Sequence, residues 1–279
     1  MLIDVHGHPA YCYTGGQSFE PALPTVVLLH GAQNDHSVWT LHSRSLAQAG
    51  FAVLAPDLPG HGRSAGPALG TVEAMANWLI ALLGAAGVER AVLGGHSMGS
   101  LIALEAAHRA PTLASGLALL GTTYPMQVSD ALLEMARSDE AGAIERVAAW
   151  SHSAPVPGPS PVGAGISVLN SARRLMQRMS ARNPAGLFHT DFAACNAYAN
   201  GERAAASLHC PVLFVLGNKD MMTPPRSTAL LTASVRHGVT VRVDAGHALM
   251  AEAPEAVRAA LLDFAGRSAE QNKAGGERV

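Results

Sequence analysis

The sequence predicts a doubly wound α/β protein, a mostly parallel eight-stranded sheet with helices on both faces and an inserted helical cap. Two observations point to this architecture. Short apolar runs without polar alternation recur along the chain, as strands covered on both faces require. Each run leads through turn residues into a longer stretch of helical periodicity, the alternation that builds parallel strands with crossover helices. A third observation places the insertion: from Tyr124 to Ser207 the rhythm stops and no buried-strand run occurs.

In chain order, Leu2–Val5 and Tyr11–Thr14 flank His6-Gly7-His8-Pro9 and read as an antiparallel hairpin at one sheet edge. The buried-strand runs follow at Thr25–His30, Phe51–Pro56, Ala91–Gly94, Leu117–Leu120, Pro211–Leu216 and Val239–Val243. Helical patterns separate them at Val38–Ala49, Val72–Leu83, Met98–His108, Ser227–Ser234 and Pro254–Phe264. This divides the chain into a core of residues 1–123 and 208–267 and a cap of residues 124–207. Inside the cap, Ser153–Gly165 is an uncharged Pro/Gly/Ser run, the composition of a lid or a disordered loop. Residues 268–279 are polar and are expected to be a disordered tail.

Composition narrows the class. Of 279 residues 48% are apolar and 14% charged, which excludes a disordered chain and a coiled coil. Nineteen basic residues against 21 acidic ones leave a net charge of −2, without the basic excess of a nucleic-acid binder. The longest apolar candidate, Trp78–Val88, is broken by Gly84 and Gly87 and is too short to span a bilayer. The N-terminus lacks a basic region followed by a long apolar stretch, so no signal peptide is expected. Cys12, Cys195 and Cys210 are too few and scattered for a disulfide framework or a zinc site, and reduced thiols in a cytoplasmic protein are expected.

The chemistry concentrates at Gly95-His96-Ser97-Met98-Gly99. This Gly-x-Ser-x-Gly pattern follows a buried strand and opens an Ala/Leu-rich helix, the context in which a serine sits on a strained turn and presents its hydroxyl at the sheet edge. Such a hydroxyl needs an oriented base, and position decides among 13 histidines. His247 lies just past the last strand and before the last helix, whereas the others fall beside the nucleophile, in the hairpin, or on helices and loops. Asp220 ends the penultimate strand and is the expected acid; Asp244 ranks second, because three residues is a short reach to the far ring nitrogen of His247. The loop His30-Gly31-Ala32-Gln33 ends the first central strand, where the N–H of Ala32, with that of Met98, can face a developing oxyanion.

Together these motifs resemble the α/β-hydrolase superfamily over nearly the whole chain. They are His30-Gly31 with Trp39 downstream, Asp57-Leu-Pro-Gly-His-Gly-Arg-Ser64, the turn at Ser97, Gly217-Asn-Lys-Asp220 and Gly246-His247. The resemblance implies a triad of Ser97, Asp220 and His247 in the order this fold uses, and oxyanion donors at Ala32 and Met98. It also implies structural roles for Asp57 and Arg63, and no metal or organic cofactor.

Within the superfamily, haloalkane dehalogenases and most epoxide hydrolases use a carboxylate where this chain has Ser97. Meta-cleavage C–C hydrolases share the Ser-Met-Gly turn but typically carry Trp after the catalytic histidine, where Ala248 stands here. They also draw a cap arginine to a substrate carboxylate; Arg173, Arg174, Arg178 and Arg182 instead read as a solvated helix face. Perhydrolases fit the triad but usually lack so long a cap. Ordinary core filling accounts for most of the ten methionines, while Met126, Met222 and Met250 are candidates to line an apolar pocket. The expected function is hydrolysis of a small-molecule, largely apolar carboxylic ester, with a C–C hydrolase, perhydrolase, lactonase or non-catalytic ligand-binding member of the fold as alternatives. The oligomeric state is open.

Overall fold

A computed structural model describes residues 1–153, 167–183 and 185–276, with side chains as far as Gln271. Its strands are β1 (Leu2–Val5), β2 (His8–Tyr13), β3 (Thr25–Leu29), β4 (Ala52–Pro56), β5 (Ala91–His96), β6 (Ala114–Leu120), β7 (Val212–Gly217) and β8 (Gly238–Val243). They form one sheet in the order β1-β2-β4-β3-β5-β6-β7-β8. The β1–β2 hairpin joins β4 antiparallel, and every pair from β4 to β8 is parallel.

The uninterrupted apolar runs have the burial that double coverage demands: β3 to β7 are buried along their whole length. Alternate residues then serve different cores. Val26 and Leu28 pack with Trp39, Leu46, Leu261 and Phe264 on one face; Val27 and Leu29 pack with Leu79, Leu82, Leu101 and Leu104 on the other. These partners come from α1 (Thr40–Gln48), the short turn His36–Trp39 that precedes it and the final helix on the first face, and from α2 (Val72–Ala85) and α3 (Met98–Arg109) on the second. The run at Val239–Val243 departs from this pattern. It forms the edge strand opposite the hairpin, with Val239 51% exposed, because among the described residues no further strand pairs with it.

Among the described residues, five helices lie between β6 and β7: α4 (Asp130–Ser138), α5 (Glu140–Trp150), α6 (Val168–Arg182), α7 (Leu187–Ala197) and α8 (Gly201–Ala206). Ser129, Asp139 and Ser167 start the first three by accepting a backbone N–H of the opening turn. Their apolar faces close a separate small core of Leu132, Ile144, Val147, Met176, Phe188 and Phe192. The Pro/Gly run of the insertion lies outside the described residues from 154 to 166.

After β7 come α9 (Ala229–Ser234), α10 (Leu249–Glu252) and α11 (Pro254–Gly276). The last helix corrects an expectation, because the polar stretch from 268 to 276 continues α11 rather than fraying. Its polar composition hides a buried side. Ala265 and Ser268 are each 1% exposed, Ser268 Oγ donates to Phe264 O, and Arg267 pairs with Asp263 on the solvent side. Among the described residues, no helix is long and apolar enough to cross a membrane.

Candidate active site

The turn between β5 and α3 places Ser97 at φ 53°, ψ −121°, a conformation that L-residues avoid. Two glycines make the turn possible. A Cβ on Gly95 would overlap the Gly99 carbonyl, and one on Gly99 would lie 2.5 Å from Leu29 O and 2.6 Å from His30 O. The start of α3 therefore rests directly on the end of β3, with Ser97 half-buried above it.

Asp220 follows β7 and His247 follows β8, and the parallel sheet brings these two strand ends together. His247 Nδ1 lies 2.8 Å from Asp220 Oδ2, with Asp220 5% and His247 6% exposed. The carboxylate is held by further donors: Met222 N and Thr223 N on Oδ1, each at 2.8 Å, and the Thr223 hydroxyl on Oδ2 at 2.7 Å. Burial pushes the Asp220 carboxyl up, but the His247 charge and the hydrogen bonds from His247 and Thr223 outweigh it and hold the pKa below the ordinary carboxylate value. Asp244, the second candidate, points to solvent and pairs with Lys219 at 2.8 Å.

Two residues of this arrangement escaped the sequence analysis. Thr223 Oγ1 also sits 3.1 Å from His247 Nδ1, so Asp220 and His247 share one hydroxyl. Its only trace in the sequence is the three-residue spacing from Asp220, the reach of a side chain that closes an Asx-type turn. His96 donates from Nε2 to His247 O at 2.8 Å, and its ring lies 4.7 Å from that of His247. Burial, followed by the neighbouring His247 charge, lowers its pKa to about 3, so His96 is a neutral tether and not a second base. The His247 loop is clamped from the other side by Ala248 N donating to Ser151 O and Gly246 N donating to Glu252.

Ser97 and His247 open into one cavity of about 530 Å³ beneath the inserted helices, although no hydrogen bond joins them among the described residues. Its apolar wall includes Val147, Leu175, Met176, Phe188, Phe192, Met222 and Met250. Of the three expected pocket methionines, Met222 and Met250 line this cavity. Met126 does not: it packs into the core that holds Ala194, Cys195 and Tyr198, since the chain turns inward at the junction of β6 with the insertion. Arg174 and Arg178 border the cavity while remaining largely solvated, whereas Arg173 pairs with Glu145 at 2.9 Å and Arg182 stays outside.

Gly31 and Ala32 complete the wall beside Ser97. The backbone N–H groups of Ala32 and Met98 donate to no group among the described residues. Within the same set, the one cluster with metal-ligand spacing is Asp35, His36 and Asp57. Asp57 is already committed there, because it accepts from His36 N, His36 Nδ1 and Arg63 N at 2.8–2.9 Å. The cluster is a hydrogen-bonded turn, and Asp57 has the structural role that the motif implied.

The sequence of residues 26–260 matches the alpha/beta hydrolase family, and the chain belongs to that family. An uncharacterised protein of Mycobacterium tuberculosis (strain ATCC 25618 / H37Rv) is 34% identical over 128 residues, 44% of this chain and 37% of that relative's length. RutD of Klebsiella pneumoniae (strain 342), a proposed carbamate hydrolase, is 28% identical over 82% of this chain and 86% of its own. Among solved structures, the enol-lactonase of Burkholderia xenovorans LB400 aligns over 95% of this chain and 99% of its own, with a TM-score of 0.81 and 23% identity. The esterase EaEST of Exiguobacterium antarcticum gives the same TM-score at 17% identity, over 95% of this chain and 98% of its own. At these identities the two structures establish a shared fold.

Proposed function

We propose that this alpha/beta hydrolase is a serine hydrolase that cleaves a small-molecule carboxylic ester through an acyl-enzyme, with residues 124–207 acting as its cap. The observation that carries the reading is the buried 2.8 Å contact between His247 Nδ1 and Asp220 Oδ2, with His247 and Ser97 on the wall of one cavity. Ser97 Oγ attacks the acyl carbonyl while His247 Nε2 takes its proton, and Asp220 stabilises the resulting imidazolium. The tetrahedral oxyanion takes hydrogen bonds from Ala32 N and Met98 N, two donors that have no other partner among the described residues. His247 then protonates the departing alcohol. Water, deprotonated by the same nitrogen, attacks the acyl carbon and returns Ser97.

The wall supports this substrate class. Apolar side chains make up much of it beside a polar minority that includes His42, Arg174 and Arg178, and no carboxylate lines the cavity among the described residues. A panel of p-nitrophenyl esters from acetate to dodecanoate, with an aryl lactone and an aryl carbamate beside them, tests the reading together with fluorophosphonate labelling. Turnover of the esters and a label on Ser97 are expected. No turnover with no label would defeat it, and turnover confined to a vinylogous diketone would favour C–C cleavage.

Two further outcomes follow. Replacing Met222 or Met250 by Ala enlarges the acyl space and is expected to shift the preferred ester towards longer chains. An unchanged chain-length profile in both variants would remove the methionines from the pocket. Thr223→Val removes one hydroxyl from the Asp220–His247 pair, and kcat/KM is expected to fall about tenfold, the size of one hydrogen bond to a charged group. Unchanged steady-state kinetics would reduce Thr223 to a turn residue.

A further inference from the structure

The loop that carries Ala32 is tied to the insertion through a buried polar seam. Gln33, at φ 56° and fully buried, donates its backbone N–H to Asp191 Oδ2 at 2.8 Å. Asp191 belongs to α7, 158 residues further along the chain, and is also fully buried. The carbonyl of the same peptide unit, Ala32 O, accepts from Asn34 Nδ2 at 3.0 Å. Both ends of the Ala32–Gln33 peptide are therefore pinned. The Gln33 side chain runs into the insertion as well, donating from Nε2 to Glu140 Oε1 and Ser180 Oγ at 2.8 Å each.

A histidine completes the seam. His61 Nε2 lies 2.9 Å from Asp191 Oδ2 and His61 Nδ1 lies 3.1 Å from Pro59 O. Both neighbours are acceptors, an arrangement that favours the ring with a hydrogen on each nitrogen. Burial alone would lower its pKa, but the Asp191 charge and hydrogen bond outweigh burial and raise it. His30, whose ring is 4.9 Å away, has the opposite character. Its Nε2 accepts from Leu58 N, and burial followed by the His61 charge lowers its pKa to about 4. His61 and Asp191 thus form one buried pair, and the same Asp191 oxygen also holds the backbone beside Ala32.

We propose that Asp191 is a positioning residue supplied by the insertion: by holding the Ala32–Gln33 peptide it fixes Ala32 from its C-terminal side, while His30 Nδ1 holds the carbonyl of the preceding Gly31–Ala32 peptide at 2.9 Å, so that the Ala32 N–H of that peptide faces the reacting carbonyl. The inference rests on the ester-hydrolase reading for its catalytic consequence, though not for the ordering of the loop. An oxyanion donor matters more in the transition state than in the ground state. Loosening it lowers kcat and leaves KM nearly as it was, whereas a general loss of fold lowers the active fraction together with the melting temperature.

The test is Asp191→Asn, read by amide exchange at Gln33 and by steady-state hydrolysis of p-nitrophenyl butyrate. Faster exchange at Gln33 is expected, with kcat reduced about tenfold and KM within about twofold. Glu134→Gln, at an exposed site of the insertion, serves as the control and should change neither. If Asp191→Asn does not fold, Asn34→Ala releases the other end of the same peptide and should produce a smaller fall in kcat, again with KM held. Exchange at the wild-type rate, faster exchange with kcat unchanged, or an unaltered kcat in Asn34→Ala would overturn the proposal. Wild-type protein that hydrolyses no ester would defeat the ester reading instead, and the exchange rate would then decide alone whether Asp191 orders the loop.

Discussion

Ser97→Ala is expected to remove ester hydrolysis almost completely, with kcat reduced by about 10⁵-fold or more, while the protein stays folded. The size of the loss follows from the division of labour. Without the hydroxyl no acyl-enzyme forms, and the unaided attack of water gains only what Ala32, Met98 and the cavity supply. The fold survives because the turn depends on Gly95 and Gly99, not on the hydroxyl, which donates to no group among the described residues. Strain at this residue makes a second outcome measurable. Ser97→Gly relieves the φ of 53° and is expected to raise stability by about 1 kcal/mol, seen as a higher melting temperature in an inactive protein. A Ser97→Ala protein with wild-type kcat would place the nucleophile elsewhere.

Asp220→Asn is expected to lower kcat by about 10⁴-fold without displacing its neighbours. The carboxylate oxygen 2.8 Å from His247 Nδ1 requires a hydrogen on that nitrogen, which leaves Nε2 free to accept the serine proton. An amide NH₂ in its place can donate to Nδ1, and the hydrogen then resides on Nε2, where it blocks the transfer. The same carboxylate has a signature in stability. Because its pKa is held below the ordinary value, its contribution is fully present above about pH 4 and is lost as pH falls through the lower folded value. Melting temperatures recorded from pH 6 downwards should therefore fall more steeply in wild type than in Asp220→Asn. Parallel curves would mean that the pair stores no folding energy.

Much of this site is written in short-range pattern. Strands buried on both faces need uninterrupted apolar runs, so β3 to β7 are visible as such, and a serine on a strained turn needs small residues beside it, so Gly95 and Gly99 mark Ser97. Asp220 and His247 are legible because parallel strands end at one sheet edge, which makes the residue after each strand a candidate. What the pattern does not carry is which elements meet. Val239–Val243 has the composition of an interior strand, and only strand order reveals it as the edge. Met126 sits in the insertion by number but in the main core by packing, because an apolar side chain fits either. The polar end of α11 hides Ser268 on its buried side. Asp191 and Gln33 are separated by 158 residues, and nothing local in either segment announces the other.

The hydrogen bond from His96 to the His247 carbonyl has a consequence for how this protein can vary. It joins the residue preceding Ser97 to the backbone of His247, across the two stretches of core that the insertion separates in the chain. Ser97, Asp220 and His247 all stand on core segments, and the insertion reaches the His247 loop through Ser151 O, which accepts from Ala248 N. Exchanging helices between β6 and β7 for others would keep these three residues on their strand ends, replace the Ser151 contact and redraw the walls of the cavity. The loop of Ala32 and Gln33 is tied to the insertion more firmly, through Asp191 and the Gln33 side chain. Under the proposed roles, a change of insertion would then alter substrate range and oxyanion geometry together.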